Sequence, residues 1–284
     1  MEKNTLPFPS VKPLNQRWSP RQRRLPQHSQ IPAYRFVRPL KRGKVLARPN
    51  RFIMLVRAGG KTLRCHCPTT GRLGDLKLAG LPCLYSTSTN TSRKTGYTVE
   101  AISTSPTDDS WVGINQTAAN RYFEFFLRNG ALSRLAEGPV QREVKLGESR
   151  IDFLVGNTYI EVKTPLITLP ASVSVARVKR SRFDSFERLI RHMGELRASL
   201  SSGRKAKIVL CYLYDAKPFK PPAADQTNSR ILTAARAAEE AGVERWQVNL
   251  KVTRSGVSLI RYFRSRPYIP GSSGPEGGGT LLGP

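Results

Sequence analysis

Short runs of alternating apolar and polar residues fill the chain between about residue 45 and residue 105. "RFIMLVRAG" is one run, Gly59-Gly60 turns it, and "KTLRCHC" returns. After the turn-rich "PTTGRLGDLKLAG" come "PCLYSTST" and "GYTVEAIS". Period-2 alternation broken by Gly and Pro predicts short strands, and several in succession predict a small barrel or an open sheet.

Beyond about residue 115 the period changes. "QTAANRYFEFFLRNGAL" has apolar residues at helical spacing, Thr117 as a candidate N-cap and Gly130 as its end. "QREVKLG" and the hairpin-like "SRIDFLVGNTYIEVKTP" follow. A second helix is predicted in "RSRFDSFERLIRHMGELRASLSSG", with a stripe through Phe183, Phe186, Leu189, Ile190, Met193 and Leu196. "KAKIVLCYLY" is a continuous apolar strand of the kind buried on both faces. "SRILTAARAAEEAG" predicts a third helix closed by Gly242, and "WQVNLKV" and "VSLIRYF" alternate as closing strands. Helices interspersed among strands predict an α/β domain over about 106–264, after a barrel-like domain over 45–105. Residues 1–44 and 265–284 are expected to be disordered tails, the first rich in Pro and basic residues, the second low in complexity.

Charge sharpens this picture. The 284 residues carry 47 Lys+Arg against 20 Asp+Glu, a net charge of +27. Twelve of those cations, with one acid, lie in the first fifty residues, so the body is basic too. A surplus of this size implies a polyanionic partner. No apolar run is long enough for a membrane span and no basic amphipathic helix stands out, so nucleic acid is the expected partner and a membrane is not. The basic tail is readable as a nucleic-acid-binding arm or, given its Arg content, as an organelle-targeting segment. Four cysteines make no disulfide framework, and no second ligand pair with zinc-like spacing follows "CHCP" at 65–68.

The hairpin carries the chemistry. A two-residue Gly156-Asn157 turn of type II′ sets Val155 opposite Thr158 and, counting back, Asp152 opposite Glu161. Ile151, Phe153, Val155, Ile160 and Val162 then share an apolar face; Asp152, Leu154, Tyr159, Glu161 and Lys163 share the other. Acids directly opposite each other in a sheet repel, at a cost of roughly 0.2–1 kcal/mol. A divalent cation would offset that repulsion, and carboxylates are the ligands Mg²⁺ prefers. Two acids and a lysine round one metal is an arrangement suited to phosphodiester hydrolysis. The other reading is a solvated pair neutralised by Arg150 and Lys163.

The same residues resemble a known family. "SRIDFLVGNTYIEVK" is similar to the core of PD-(D/E)xK nucleases and, more narrowly, to the C-terminal domain of the sugar fermentation stimulation protein A (SfsA) family. "HCPTTGRL" (66–73), "SRKTGYTVE" (92–100), "WVGIN" (111–115), Asn120, "REVKLGESRIDF" (142–153) and "ERLIRHMGEL" (187–196) fit that family in order, over about 51–263. The resemblance implies an OB-like N-terminal barrel, a nuclease-like α/β domain with a mixed central sheet, DNA binding, and a divalent metal, Mg²⁺ or Mn²⁺. It carries Asp152, Glu161 and Lys163 over as catalytic residues, with Asp152 and Glu161 as metal ligands. Glu124 is a further candidate ligand from the preceding helix, with Glu143 as its alternative. His192 matches the family histidine and is expected to be a partly buried helix residue that packs or hydrogen-bonds. The family's Phe-Pro-Asp run after Glu-Val-Lys is missing, and "RVKRSR" (177–182) stands in the altered interval.

On an OB-like barrel, basic groups beside aromatics suit single-stranded nucleic acid. Arg64, Arg72, Arg93, Lys94 and Tyr97 are the candidates. The sequence therefore implies a DNA-binding protein, single- or double-stranded, with a metal-dependent nuclease-type site. The alternatives are a non-catalytic DNA-binding regulator and an RNA-binding or organellar nucleic-acid protein. A cytoplasmic location is expected, nucleoid-associated in a bacterium, with organelle import the alternative.

Overall fold

The computed structural model describes residues 31–69, 73, 76–90, 92–104, 110–166, 186–222, 225 and 228–266. Five strands form the ring of the first sheet: β2 (Lys41–Asn50), β3 (Ile53–Ala58), β4 (Lys61–His66), β5 (Pro82–Thr87) and β6 (Tyr97–Ser103), with β1 (Tyr34–Arg35) lying elsewhere. Their order is β4-β3-β2-β5-β6, and a parallel pairing of β4 with β6, Cys65 to Tyr97 and His66 to Thr98, closes the ring. Closure pairs β4 and β6 at one end, where a small open sheet would leave both as edges. The alternation read from the sequence is the reason it has an inside: Val45, Met54, Val56, Cys65, Cys83 and Val99 are fully buried there. Cys65 points into this core, and burial pushes its thiol pKa up to about 12; His66 lies against Arg93.

The second sheet is mixed. It runs β1-β13-β12-β11-β10-β9-β8, from β8 (Val140–Leu146), β9 (Ser149–Val155), β10 (Thr158–Lys163) and β11 (Lys205–Tyr212) to β12 (Glu244–Val252) and β13 (Gly256–Arg264). β10, β11 and β12 are parallel and the other pairings are antiparallel. Helix α1 (Gln116–Arg128) covers one face, where Tyr122, Phe123 and Phe126 pack with Phe153, Ile160, Val209 and Val248. Helices α2 (Phe186–Ser199) and α3 (Ser229–Glu240) cover the other, where Met193, Leu196 and Ala238 meet Ile151 and Ala206. Among the described residues, no helix is long and apolar enough to cross a membrane.

Several expectations need correction. The tail expected over residues 1–44 gives way within the described residues: β1 pairs with β13, and β2 begins at Lys41. The reason is apolar anchoring. Tyr34 and Phe36 pack against Tyr122, and Leu40 is buried. The boundary expected at residue 105 also moves, because β7 (Trp111–Gly113) pairs with β6 and extends the barrel sheet. Helix α1 is capped by Asn115, whose side chain accepts from the Ala118 N–H at 3.1 Å, and not by Thr117, whose hydroxyl donates to that same Asn115 oxygen at 2.7 Å. Phe183 and the "RVKRSR" run lie outside the described residues, as does the side chain of Phe186.

Gly113 joins the two sheets. Its N–H donates to the Leu213 carbonyl at 2.9 Å, just past the end of β11. A Cβ here would stand 2.5 Å from Leu213 Cβ and 2.8 Å from Val252 Cγ2, so only glycine permits the approach.

Candidate active site

The hairpin β9–β10 turns at Gly156, which has φ +54°, as a type II′ turn requires at its first central residue. A Cβ there would also lie 2.5 Å from the Glu137 carbonyl. The register follows: Val155 opposite Thr158, Leu154 opposite Tyr159, Phe153 opposite Ile160. There the paired ladder stops. In place of the next backbone partner, the Asp152 carboxylate reaches across, and its Oδ2 accepts the Val162 N–H at 2.8 Å. Its Oδ1 accepts from Asn120 of α1 at 2.7 Å.

This break corrects the face assignment. Ile151 packs with Met193 and Leu196 under α2, not with Phe153 under α1. It also changes how the two acids meet. They are not a directly opposed cross-strand pair, because one of them is used to complete the sheet. They remain close enough to interact: burial first, then the charge of Glu161, pushes the Asp152 carboxyl above the usual aspartate range. The bonds from Val162 and Asn120, and Lys163, pull the other way.

Glu161 is 2% exposed. Its Oε1 receives Lys163 Nζ at 2.5 Å and His192 Nδ1 at 2.6 Å. His192 is itself buried and is delivered over the sheet by α2. Arg188, one helical turn earlier, donates Nε to His192 Nε2 at 3.4 Å, which assigns the ring hydrogen to Nδ1, aimed at Glu161. The other carboxylate oxygen, Glu161 Oε2, is buried and has no hydrogen-bond partner among the described residues. A buried acceptor left bare is costly and asks what it is for.

The structure thus brings Asp152, Glu161 and Lys163 together and adds His192 and Asn120. The sequence held both of those, as matches to a pattern, but not their bonds. Glu124 goes elsewhere: it is bonded by Arg128 at 2.9 Å and Arg142 at 3.1 Å. Glu143 is exposed and pairs with Arg150 at 3.4 Å. Among the described residues no group of three or more His, Cys, Asp or Glu is arranged to hold a metal. The donor set therefore reduces to the carboxylates of Asp152 and Glu161. That set fits Mg²⁺ or Mn²⁺, hard ions that take one or two carboxylates and keep several other oxygen ligands as water or phosphate.

Of the expected nucleic-acid contacts, Arg64, Arg93 and Lys94 are exposed on or beside the barrel. Arg93 Nη2 lies 3.4 Å from His66 Nδ1. Tyr97 is half-buried and packs edge-on against Tyr85 at 5.7 Å, within the margin of the barrel core. Arg72 lies outside the described residues.

Comparison with known proteins places this geometry in context. A family model described as the SfsA N-terminal OB domain matches residues 46–114. A second, the sugar fermentation stimulation protein RE domain, matches residues 117–256. The sugar fermentation stimulation protein homolog of Synechococcus elongatus is 32% identical over 235 residues, covering 78% of this chain and 93% of that protein. The homolog of Alcanivorax borkumensis is 31% identical over 230 residues, covering 74% and 90%. Among solved structures, that of Pyrococcus furiosus SfsA in complex with Ca²⁺ shares the fold with a TM-score of 0.63 at 24% identity, covering 80% of this chain and 96% of that one.

Proposed function

This chain belongs to the sugar fermentation stimulation protein family, and from that premise we propose that it binds DNA and hydrolyses phosphodiester bonds at the β9–β10 hairpin with a divalent metal. The observation that carries the catalytic half is Glu161 Oε2, a buried carboxylate oxygen that has no partner among the described residues, on a side chain whose charge acts on Asp152. A hard cation would satisfy both groups at once and offset the burial and, after it, the Glu161 charge that together raise the Asp152 pKa. A related protein of the same fold was solved in complex with Ca²⁺, an ion of the same oxygen-seeking class.

Asp152 and Glu161 would hold Mg²⁺ or Mn²⁺, which when bound polarises a water and neutralises charge on the phosphate. The chain's own residues do the rest. Asn120 and the Val162 N–H fix the Asp152 carboxylate. His192 and Lys163 fix Glu161 through a single oxygen, leaving the other free to ligate. Lys163, partly exposed, is the group placed to meet a phosphate oxygen or orient the attacking water. The net charge of +27 supports a polyanionic substrate.

A second reading is DNA binding without cleavage. It is favoured by Lys163 being ion-paired to Glu161. One experiment separates the two. Purified protein is incubated with single- and double-stranded DNA, with an RNA arm, in Mg²⁺ or Mn²⁺, beside Lys163→Ala. Metal-dependent cleavage lost in the variant supports hydrolysis. Cleavage equal in both proteins identifies a contaminant and sinks the enzymatic reading, and binding without cleavage leaves the second.

A further inference from the structure

A second candidate site adjoins the same helix α1 that holds Asp152. Asn120 bonds Asp152, while its neighbour Arg121 lines a separate cavity of about 730 Å³ between the barrel, residues 34–41 and the start of α1. This is within the size range of small-molecule sites.

The cavity contains a buried carboxylate. Glu100, on β6, is 8% exposed. Ser86 Oγ donates to its Oε1 and Asn115 Nδ2 to its Oε2, both at 2.6 Å. Both donors are neutral, and among the described residues Glu100 forms no ion pair. A carboxylate accepts about four hydrogen bonds, so each oxygen keeps acceptor capacity. At the rim the charge reverses. Arg93 is exposed beside His66, and the Arg121 guanidinium lies over the rings of Tyr34 and Tyr122, 5.8 and 5.4 Å from their centroids. A ligand for this cavity needs an anionic end for the arginines and paired N–H donors for the carboxylate.

Among nucleobases, guanine alone offers two adjacent donors, N1–H and the 2-amino group, with no acceptor between them. Adenine and cytosine put a ring acceptor beside their amino group, and thymine flanks its one N–H with two carbonyl oxygens, which a carboxylate repels. We propose that this cavity binds a guanine nucleotide unit, the base edge at Glu100 and the 5′-phosphate at Arg93 and Arg121. The unit is either a free nucleotide or an unpaired guanine of a strand. The site uses none of the hairpin residues, so it stands whether or not the hairpin cleaves.

The test is equilibrium binding in EDTA, with no metal and no hydrolysis. dGMP is compared with dAMP, dCMP, dTMP, dIMP (which lacks the 2-amino group) and inorganic phosphate. dGMP should bind tighter than every other probe by about tenfold or more, because a mismatched edge leaves a buried polar group unpaired. Glu100→Gln should remove the preference over dIMP. Arg93→Ala, at an exposed position, should weaken all the nucleotides about tenfold and keep their order. A thymidine oligomer with one guanine that binds at least tenfold tighter than dGMP identifies the strand as the source; equal affinity identifies the free nucleotide. Equal affinity for all bases, phosphate binding as tightly as dGMP, or saturable binding by neither dGMP nor the oligomer overturns the proposal. The dIMP comparison uses the unaltered protein, so it decides even where Glu100→Gln fails to fold.

Discussion

Two buried glutamates, Glu161 on β10 and Glu100 on β6, are satisfied differently. Among the described residues, Glu161 takes a lysine and a histidine on one oxygen and nothing on the other. Glu100 takes one neutral donor on each oxygen. The first arrangement puts a lysine and a histidine on one oxygen and leaves a bare lone pair on the other, beside a second acid, which is the ground for proposing a cation there. The second spreads neutral donors evenly and leaves acceptor capacity for more of the same, which is the ground for proposing neutral N–H donors there. Burial of a carboxylate alone says little about what it binds. The charge and placement of its existing partners say more.

The sharpest way to break this contrast is Glu161→Gln. It keeps the shape and removes the charge, and metal-dependent cleavage should fall by about a thousandfold or more, read as single-turnover rates. A loss under tenfold would make Glu161 a structural acid like any other. His192→Ala should act one step back. It removes the group that holds Glu161 Oε1, so Mg²⁺ affinity measured by calorimetry should fall about 10–100-fold. Gly113→Ala tests the tie between the barrel and the sheet. With Leu213 and Val252 inside contact distance, it should destabilise by about 1–3 kcal/mol in urea unfolding.

Asp152→Asn has a sign that depends on pH. Its raised pKa means that, in chelated protein, the native state holds a proton that the unfolded chain has lost. Stability therefore falls as pH rises from the ordinary aspartate range through the raised value. The Asn variant lacks that penalty. The melting-temperature difference should grow in its favour across that window, stay flat below it, and reverse in Mg²⁺, which stabilises only the native carboxylate pair. The smallest expected effect is Arg64→Ala or Lys94→Ala on DNA binding. Each should lower the slope of log affinity against log salt by about 0.7–0.9 if it contacts a phosphate. An unchanged slope removes that residue from the interface.

The hairpin was legible because Gly156-Asn157 sets a register and side chains alternate with period 2. The legibility failed where the ladder stopped. Nothing local says that Asp152 will complete the sheet with its side chain, so simple alternation puts Ile151 on the wrong face. His192 stands 31 positions from Glu161, and its bond depends on how α2 crosses the sheet, which periodicity does not encode. Prolines made residues 31–44 read as a tail, yet Tyr34, Phe36 and Leu40 fasten them. The Glu100 cavity was invisible for a related reason. Its walls come from segments as far apart as residues 34 and 122, and Glu100 on its own reads as one polar residue of an alternating strand.

The contact at Gly113 has one more consequence. Because the barrel backbone is bonded directly to the end of β11, one strand from the hairpin, the distance from the barrel's arginines to the Asp152–Glu161 pair is not adjustable by a linker. A strand gripped by the first and cut at the second would be measured as well as held. The molecule would act as a ruler, and its products from a uniform substrate would cluster at one spacing from the gripped end, not spread over a range.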